Sequence, residues 1–380
     1  MLAKLGVQPK NRLAAPADGK AIPDIPHGNG DGSDPYNLTP EQKALLASFV
    51  NKEYKRRLEE RLPFEQKWRM NIAYIEGYQY LLPGAVGTNQ LMEAPALFWW
   101  EQRRVFNHIA PNIEVRIARL QKAMQIPKVA PSGNELEDIK RANVSNTLLK
   151  EIYYNSAIKR KMASIYQWLE ATGTVLLKST WNPNGGESVI DPETGEEICE
   201  GNLDISVVPS FEVLPDSPLN VEMEDVQSLI HARVYHIDDV KEMWGESVTA
   251  EIDEVSRVMS GNGGGGQAAS IFGLTDQFMG NTNPTKDHVV VKEYWERPSK
   301  KWKQGRLIIV VSDKVVYFGP LPYLNGMNGT RSLPFAKCCC VVRPDCFWGK
   351  TIAERLIPKA IGADYATTLG ERQVLLRSPP

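Results

Sequence analysis

Cysteine is scarce in this chain: five in 380 residues, four of them crowded into Cys338, Cys339, Cys340 and Cys346. That crowding builds no disulfide framework and fits a reducing compartment. Long apolar runs are also missing. None approaches the ~20 residues a membrane-spanning helix needs. The first twenty residues have no continuous apolar core of the kind a secretory leader carries, so export by a general secretory route is not expected. Neither sign of charge dominates: 44 Lys and Arg stand against 46 Asp and Glu, for a net charge of −2. Proteins that hold nucleic acid statically do so with a surplus of Lys and Arg that displaces counterions. Tight, static binding is therefore disfavoured, while loose passage of a polyanion is not.

The familiar patterns of catalysis and metal binding are absent too. The run Gly261-Asn262-Gly263-Gly264-Gly265-Gly266 is followed by Gln267-Ala268 and not by Lys-Ser/Thr. It lacks what a phosphate loop requires and reads as a linker. Three consecutive cysteines, Cys338 to Cys340, point to alternate faces of a strand and cannot converge on one ion; buried, inert thiols are expected. The five histidines show no H-E-x-x-H spacing, and no G-x-S-x-G elbow accompanies them. Glu251, Asp253 and Glu254 sit on the polar face of a predicted helix, as solvated charge does. No catalytic residue, metal or cofactor is expected.

What the chain does have is a series of amphipathic elements from Arg104 to Trp181. Ile113, Ile117, Leu120 and Met124 recur at i, i+4, i+7 and i+11, one face of a helix. Asn107 is placed to accept its first amides, and Pro111 falls in the first turn, where a missing N–H costs little. Pro127 and Pro131 stop it. A second helix is predicted from near Asn134, carrying Leu136, Ile139, Leu148 and Ile152. A third carries Ile158, Met162, Ile165 and Leu169 and ends at Gly173. Thr174–Trp181 then reads as a strand with Val175, Leu177 and Trp181 on one side of the pleat. Helices delivered into a strand in this order imply a helical layer on a sheet, an α+β fold.

On either side the pattern sets the organisation. Residues 1–39, with Pro9, Pro16, Pro23, Pro26 and Pro35, bury too little to offset their ordering entropy, and a disordered arm is expected. Thr39-Pro40-Glu41-Gln42 starts a helix through Leu46, Val50, Tyr54 and Leu58, with Pro63 ending or kinking it. A further helix follows from Phe64 to Gly77. Turns at Asn182–Gly186 and Asp191–Gly195 enclose a small hairpin region. Leu203, Ile205 and Val207 alternate as a half-buried strand. Val226–Tyr235 gives another strand, with His231 and His236 flanking its end. Asp238–Met259 is predicted as helix in two pieces broken at Gly245. Strand pattern returns at Val289–Trp295, Arg306–Val311 and Val315–Phe318, and Gly349 opens a last helix that Pro358 bends. The expected parts are thus the arm, an α+β unit over 40–235, a helical segment and glycine-rich linker over 236–287, a β-rich region over 288–345, and a final helix over 346–380. One compact basic-aromatic patch stands out: Lys300, Lys301, Trp302, Lys303 and Arg306. It is either a solvated hairpin tip or a contact for DNA or an acidic partner.

Several of these pieces, taken in order, resemble the portal (head-to-tail connector) proteins of short-tailed and related double-stranded DNA phages. The residues are Trp68 followed by Gly77-Tyr78-Gln79-Tyr80, then Asn107 with its helix and Pro127-Lys128-Val129-Ala130-Pro131. The strand from Gly173 to Trp181 follows with Asn182-Pro183, Gly201–Val208 and Asp216-Ser217-Pro218. Leu333-Pro334-Phe335 and Gly349–Pro358 complete the series. The resemblance covers roughly residues 60 to 380. It departs at Ala360 and Asp364, where the family usually carries Gln and Asn, and portals continue well beyond this length, so the chain is expected to be the N-terminal part of a longer product. The resemblance implies a wing, a stem helix and a β-rich clip, assembled as a ring, usually a dodecamer, at one vertex of the virion capsid. Double-stranded DNA passes through the ring. Implied partners are the terminase large subunit, head-completion and tail adaptor proteins, and scaffold or capsid protein, with no membrane. ATP hydrolysis then belongs to the terminase. The patch at Lys300, Lys301, Trp302, Lys303 and Arg306 becomes a contact for DNA or terminase. Two other readings stand beside this one: a hydrolase whose acidic site follows no motif, and a virion adaptor that is not a portal.

Overall fold

The structure, a computed structural model, describes residues 38–83, 91–95, 104–123, 126–183, 185–190, 197–199, 201–245, 288–325 and 330–377. The expected arm up to residue 37, the turn at 191–195, the helical piece beyond Gly245 and the glycine run at 261–266 lie outside them. The fold is α+β, helices with antiparallel sheets, as the sequence pattern implies.

Helix α1 (Pro40–Glu76) opens with a reciprocal cap: the Gln42 amide donates to Thr39 Oγ1 at 3.4 Å and the Thr39 amide to Gln42 Oε1 at 3.0 Å. The expected break at Pro63 does not occur, and the helix runs through it for 37 residues. A proline at mid-helix costs about 3 kcal/mol or more. That cost is met by burial on both sides: Leu46, Val50 and Tyr54 upstream, and Trp68 and Ile72 downstream, are each at most 2% exposed. Next in the chain come a small hairpin, β1 (Leu81–Pro83) with β2 (Leu91–Glu93), and helix α2 (Ile109–Ala123). Asn107 Oδ1 accepts from the amides of Ile109 and Ala110 at 3.1 Å, as its position predicts. Helices α3 (Leu136–Asn155) and α4 (Ile158–Thr172) follow, and α4 ends at Gly173 in the left-handed conformation.

The strands come in two runs. Before the undescribed segment lie β3 (Thr174–Asn182), the hairpin β4 (Ser188–Ile190) with β5 (Glu197–Cys199), β6 (Asn202–Pro209), β7 (Val213–Pro215) and β8 (Ser228–His236), then helix α5 (Ile237–Trp244). After it lie β9 (His288–Glu296), β10 (Arg306–Val311), β11 (Lys314–Gly319), β12 (Leu324–Asn325), β13 (Thr330–Arg331), β14 (Phe335–Cys339), β15 (Val341–Arg343) and β16 (Cys346–Lys350). Helix α6 (Ala353–Arg377) ends the described chain. It is not opened by Gly349, which lies inside β16. The helix start is instead capped by Thr351, whose Oγ1 accepts from the Glu354 amide at 3.1 Å. Gly349 is needed elsewhere: a Cβ there would sit 2.5 Å from the Gly173 carbonyl oxygen, so two backbones pass too closely for side chains.

Five strands form one sheet in the order β11-β10-β9-β8-β7, and three form another in the order β14-β3-β6. The line expected between residues 235 and 288 therefore crosses a continuous sheet. β8 and β9 pair from Ser228 opposite Glu296 to His236 opposite His288, and β14 pairs with β3 across more than 150 residues of sequence. The physical reason lies in β9, which is apolar on both faces and needs cover on both. Val290 and Tyr294 meet Leu46, Val50 and Tyr54 of α1. On the opposite face Val289 and Val291 meet Ile237 and Val240 of α5, while Trp295 joins Leu176, Phe335 and Trp348.

Helix α1 thus covers one face of the larger sheet with its first half and enters the core beside the smaller sheet with its second. Between the two it passes the sheet edge. Arg57 donates to the carbonyls of Leu214 and Ser228 and, at 2.7 Å, to Ser228 Oγ. Arg61 donates to those of Ser210 and Val213 at 3.3 and 2.8 Å. Edge strand β7 is thereby closed by guanidinium groups in place of another strand. Helix α4 lies on β3 and β6, whereas α2 packs mainly on α1, α4 and α6.

Candidate functional site

The predicted basic patch is split by the fold. It lies on the 297–305 connection between β9 and β10, a tightly tied loop. Ser299 and Trp302 exchange hydrogen bonds, the Gly305 amide donates to the Trp302 carbonyl, and Arg297 donates to the carbonyls of Val226 and Met223 at 2.8 and 2.9 Å. Trp302 is 5% exposed and meets Phe318 edge-on at 5.7 Å. Arg306 is equally buried, bonded through Nε to Glu296 Oε2, and lies 5.4 to 5.7 Å from the rings of Trp302, Tyr294 and Phe49. Those two residues belong to the core. Lys300, Lys301 and Lys303 remain exposed on the loop rim, so the surface charge is that of three lysines.

A second cluster was not legible as a site. His231, expected near a strand end, sits inside β8 and is 1% exposed. Its Nδ1 lies 3.1 Å from Glu293 Oε2 and its Nε2 lies 3.3 Å from Glu212 Oε2. Glu293 is also held by Lys178 Nζ at 2.8 and 2.6 Å and by Trp295 Nε1 at 3.0 Å. Burial alone would raise the Glu293 carboxyl, but His231 and Lys178 hold it far below the usual carboxylate range. For His231 burial favours the neutral ring, yet the bonds to Glu212 and Glu293 outweigh it and raise the pKa above its ordinary value. A carboxylate so fully engaged is a poor general base, and the cluster's evident work is to join β3 of the smaller sheet to β8 and β9 of the larger. The available sequence signal was a charge at an inward position of an apolar alternation: Glu293 between Val291 and Trp295, and Lys178 two residues after Leu176.

Cys338, Cys339 and Cys340 are half-buried in or just after β14, Cys199 is half-buried at the end of β5, and Cys346 is buried. Burial pushes the Cys338 and Cys340 thiols up, away from the thiolate form that binds metals. Among the described residues, no group of His, Cys, Asp or Glu is arranged to hold a metal ion. No helix there is long and apolar enough to cross a membrane.

Helices α3 and α6 each expose several apolar side chains. The stripe expected to bury α3 stays largely open: Leu136 and Leu148 are more than half exposed and Ile139 is exposed too, Ile152 is half-buried, and Ala142 is the helix's one buried residue. On α6 the face carrying Ala360 and Asp364 is buried, while Ile361, Tyr365, Leu369 and Leu376 form an open stripe along the helix. No protein-family model matches this chain, and no curated protein matches it.

Proposed function

We propose that this chain is a subunit of a phage portal ring, through which double-stranded DNA is packaged into the capsid and later ejected. The observation that carries the reading is the open apolar stripe of α6. Contiguous exposed apolar surface of this kind marks an association surface, and closing subunits into a ring buries it. The ordered series of elements from Trp68 to Pro358 supports the same reading. So does the balanced charge, since a strongly basic lining would hold phosphates and stall their passage. In this reading the ring is a dodecamer at the capsid vertex of the virion. It docks the terminase large subunit and later the head-completion and tail proteins, meets scaffold or capsid protein during assembly, and has no catalytic step of its own. Electron microscopy of the purified chain tests it: closed rings with a central opening are expected, and a monomer or dimer at every concentration overturns it in favour of an enzyme or adaptor.

The loop rim is the proposed contact for DNA or the motor. Replacing Lys300, Lys301 and Lys303 with Ser should leave ring assembly and thermal stability unchanged. If the partner is DNA, binding should weaken and the slope of log affinity against log salt should fall by about 0.9 for each phosphate no longer neutralised. A variant that packages normally across a salt series shows the rim to be a solvated loop. Arg306 is excluded from that set because its charge is spent on Glu296 inside the fold.

A further inference from the structure

We propose that Glu212, His231, Glu293 and Lys178 form a proton-operated latch on the crossover between the two sheets, closed when both ring nitrogens of His231 carry protons. The inference is independent of the reading as a portal subunit. It begins from geometry. Both nitrogens of one buried imidazole face carboxylate oxygens, at 3.1 and 3.3 Å. A carboxylate can only accept, and a neutral imidazole has one N–H and one bare lone pair. Both contacts are therefore favourable together only for the imidazolium.

The place of the latch gives it leverage. β6 ends at Pro209 in the three-stranded sheet and β7 begins at Val213 in the five-stranded one. The 3-10 turn Ser210–Glu212 is all that joins them. Arg61 holds one side of this turn through the Ser210 and Val213 carbonyls. The Glu212 side chain holds the other, through His231, whose own backbone pairs with Val213.

Charge balance decides which contact opens. With His231 protonated, two cations face two carboxylates. Loss of the proton leaves one uncompensated negative charge in a buried cluster, which is costly. Glu293 cannot leave, since Lys178 and Trp295 hold it. The Glu212 side chain is 22% exposed, the most open of the four, and turning it to water restores neutrality. The other groups facing His231 do not change this order. Lys178, from β3, opposes its charge, Phe335 from β14 lies edge-on at 5.8 Å, and Tyr235 on the same strand, its phenol raised chiefly by burial, feels both carboxylates.

The sign follows from the raised pKa of His231. The contribution of the latch is fully present below the unfolded-state value of about 6.5 and is lost as pH rises through the folded-state value. On the acid side the Glu293 contribution is lost only as pH falls from about 4.5 towards its lowered folded value.

The test uses the intact chain with 15N-labelled histidine. At pH 6.5 the His231 ring is expected to show two protonated nitrogens and to titrate above the ordinary histidine value. Hydrogen-exchange protection of residues 209–215, corrected for intrinsic rates, should fall by up to about tenfold per pH unit from about pH 6.5 until the folded-state ring has titrated, and level off beyond it. In Glu212→Ala this protection should be low throughout and lack the alkaline fall. A neutral His231 ring at pH 6.5, constant wild-type protection from pH 6 to 9, or an unchanged alkaline fall in Glu212→Ala would each overturn the proposal. The wild-type spectrum decides the matter even if the variant fails to fold.

Discussion

Trp68→Ala should lower the stability of the chain by about 3–5 kcal/mol, read from the urea midpoint of unfolding. Trp68 is 1% exposed and stands edge-on to Trp348 at 4.8 Å and to Phe211 at 5.2 Å. Those rings come from β16 and from the crossover turn, so one side chain of α1 joins segments more than a hundred residues apart. Removing it leaves a void that its neighbours cannot fill. Phe211 is itself engaged by Trp168, and Trp348 by Phe347 and Phe64. The two edge-to-face pairs add about 0.5–1.5 kcal/mol each to the loss of burial. Trp68→Phe keeps a ring in the site and should cost distinctly less. A loss under about 1 kcal/mol for the alanine variant would mean that the core collapses around the gap.

Arg61→Met should have a comparable effect, about 3–5 kcal/mol, for an electrostatic reason. Arg61 and Glu65 are 3% and 1% exposed and lie 2.6 Å apart. Without the guanidinium, Glu65 loses its ion-pair partner at 2.6 Å and is left with the charge of Arg69, and the Ser210 and Val213 carbonyls lose their donor. The double variant Arg61→Met with Glu65→Met should recover much of the loss, because it removes the buried carboxylate together with the guanidinium. The same helix supplies a control. Arg56 and Glu60 have the same i,i+4 spacing but side chains 44% and 37% exposed. Truncating Arg56 should cost at most about 0.5 kcal/mol. Equal losses at positions 56 and 61 would show that burial is not what gives the inner pair its weight.

That contrast marks what a sequence can convey. Arg56 and Arg61 look alike in one dimension, each with a glutamate four residues on, and only the sheet edge beneath Arg61 tells them apart. Local signals read well where the cause is local. The Thr39 cap, the Asn107 cap, the stop at Gly173 and the strand from Thr174 are each specified within a few residues. Pro63 misled because its local cost is offset by the burial of Tyr54 and Trp68, on the turns to either side of it, against strands distant in sequence. Gly349 misled for the opposite reason: it suggests a helix start but answers to a backbone 176 positions earlier. The periodicity of α3 was real and its burial was not, since a stripe shows that a face is apolar and not what lies against it. In the basic patch, composition could not separate the lysines of the rim from Trp302 and Arg306, which fold inward against Phe318, Tyr294 and Phe49. His231 was hidden because its carboxylate partners lie 19 and 62 residues away.

The reach of α1 also bears on how the chain is made. Its side chains bond to Ser228, Ser312 and Thr351, separations of 171, 261 and 280 residues. A ribosome takes roughly 15–60 s to travel from Arg61 to Thr351 at 5–20 residues per second. The helix is synthesised first and docked last, and until then the face that will hold both sheets together has no native surface to meet. Losses to aggregation should therefore track translation speed and holdase supply more closely than they track the stability of the finished fold.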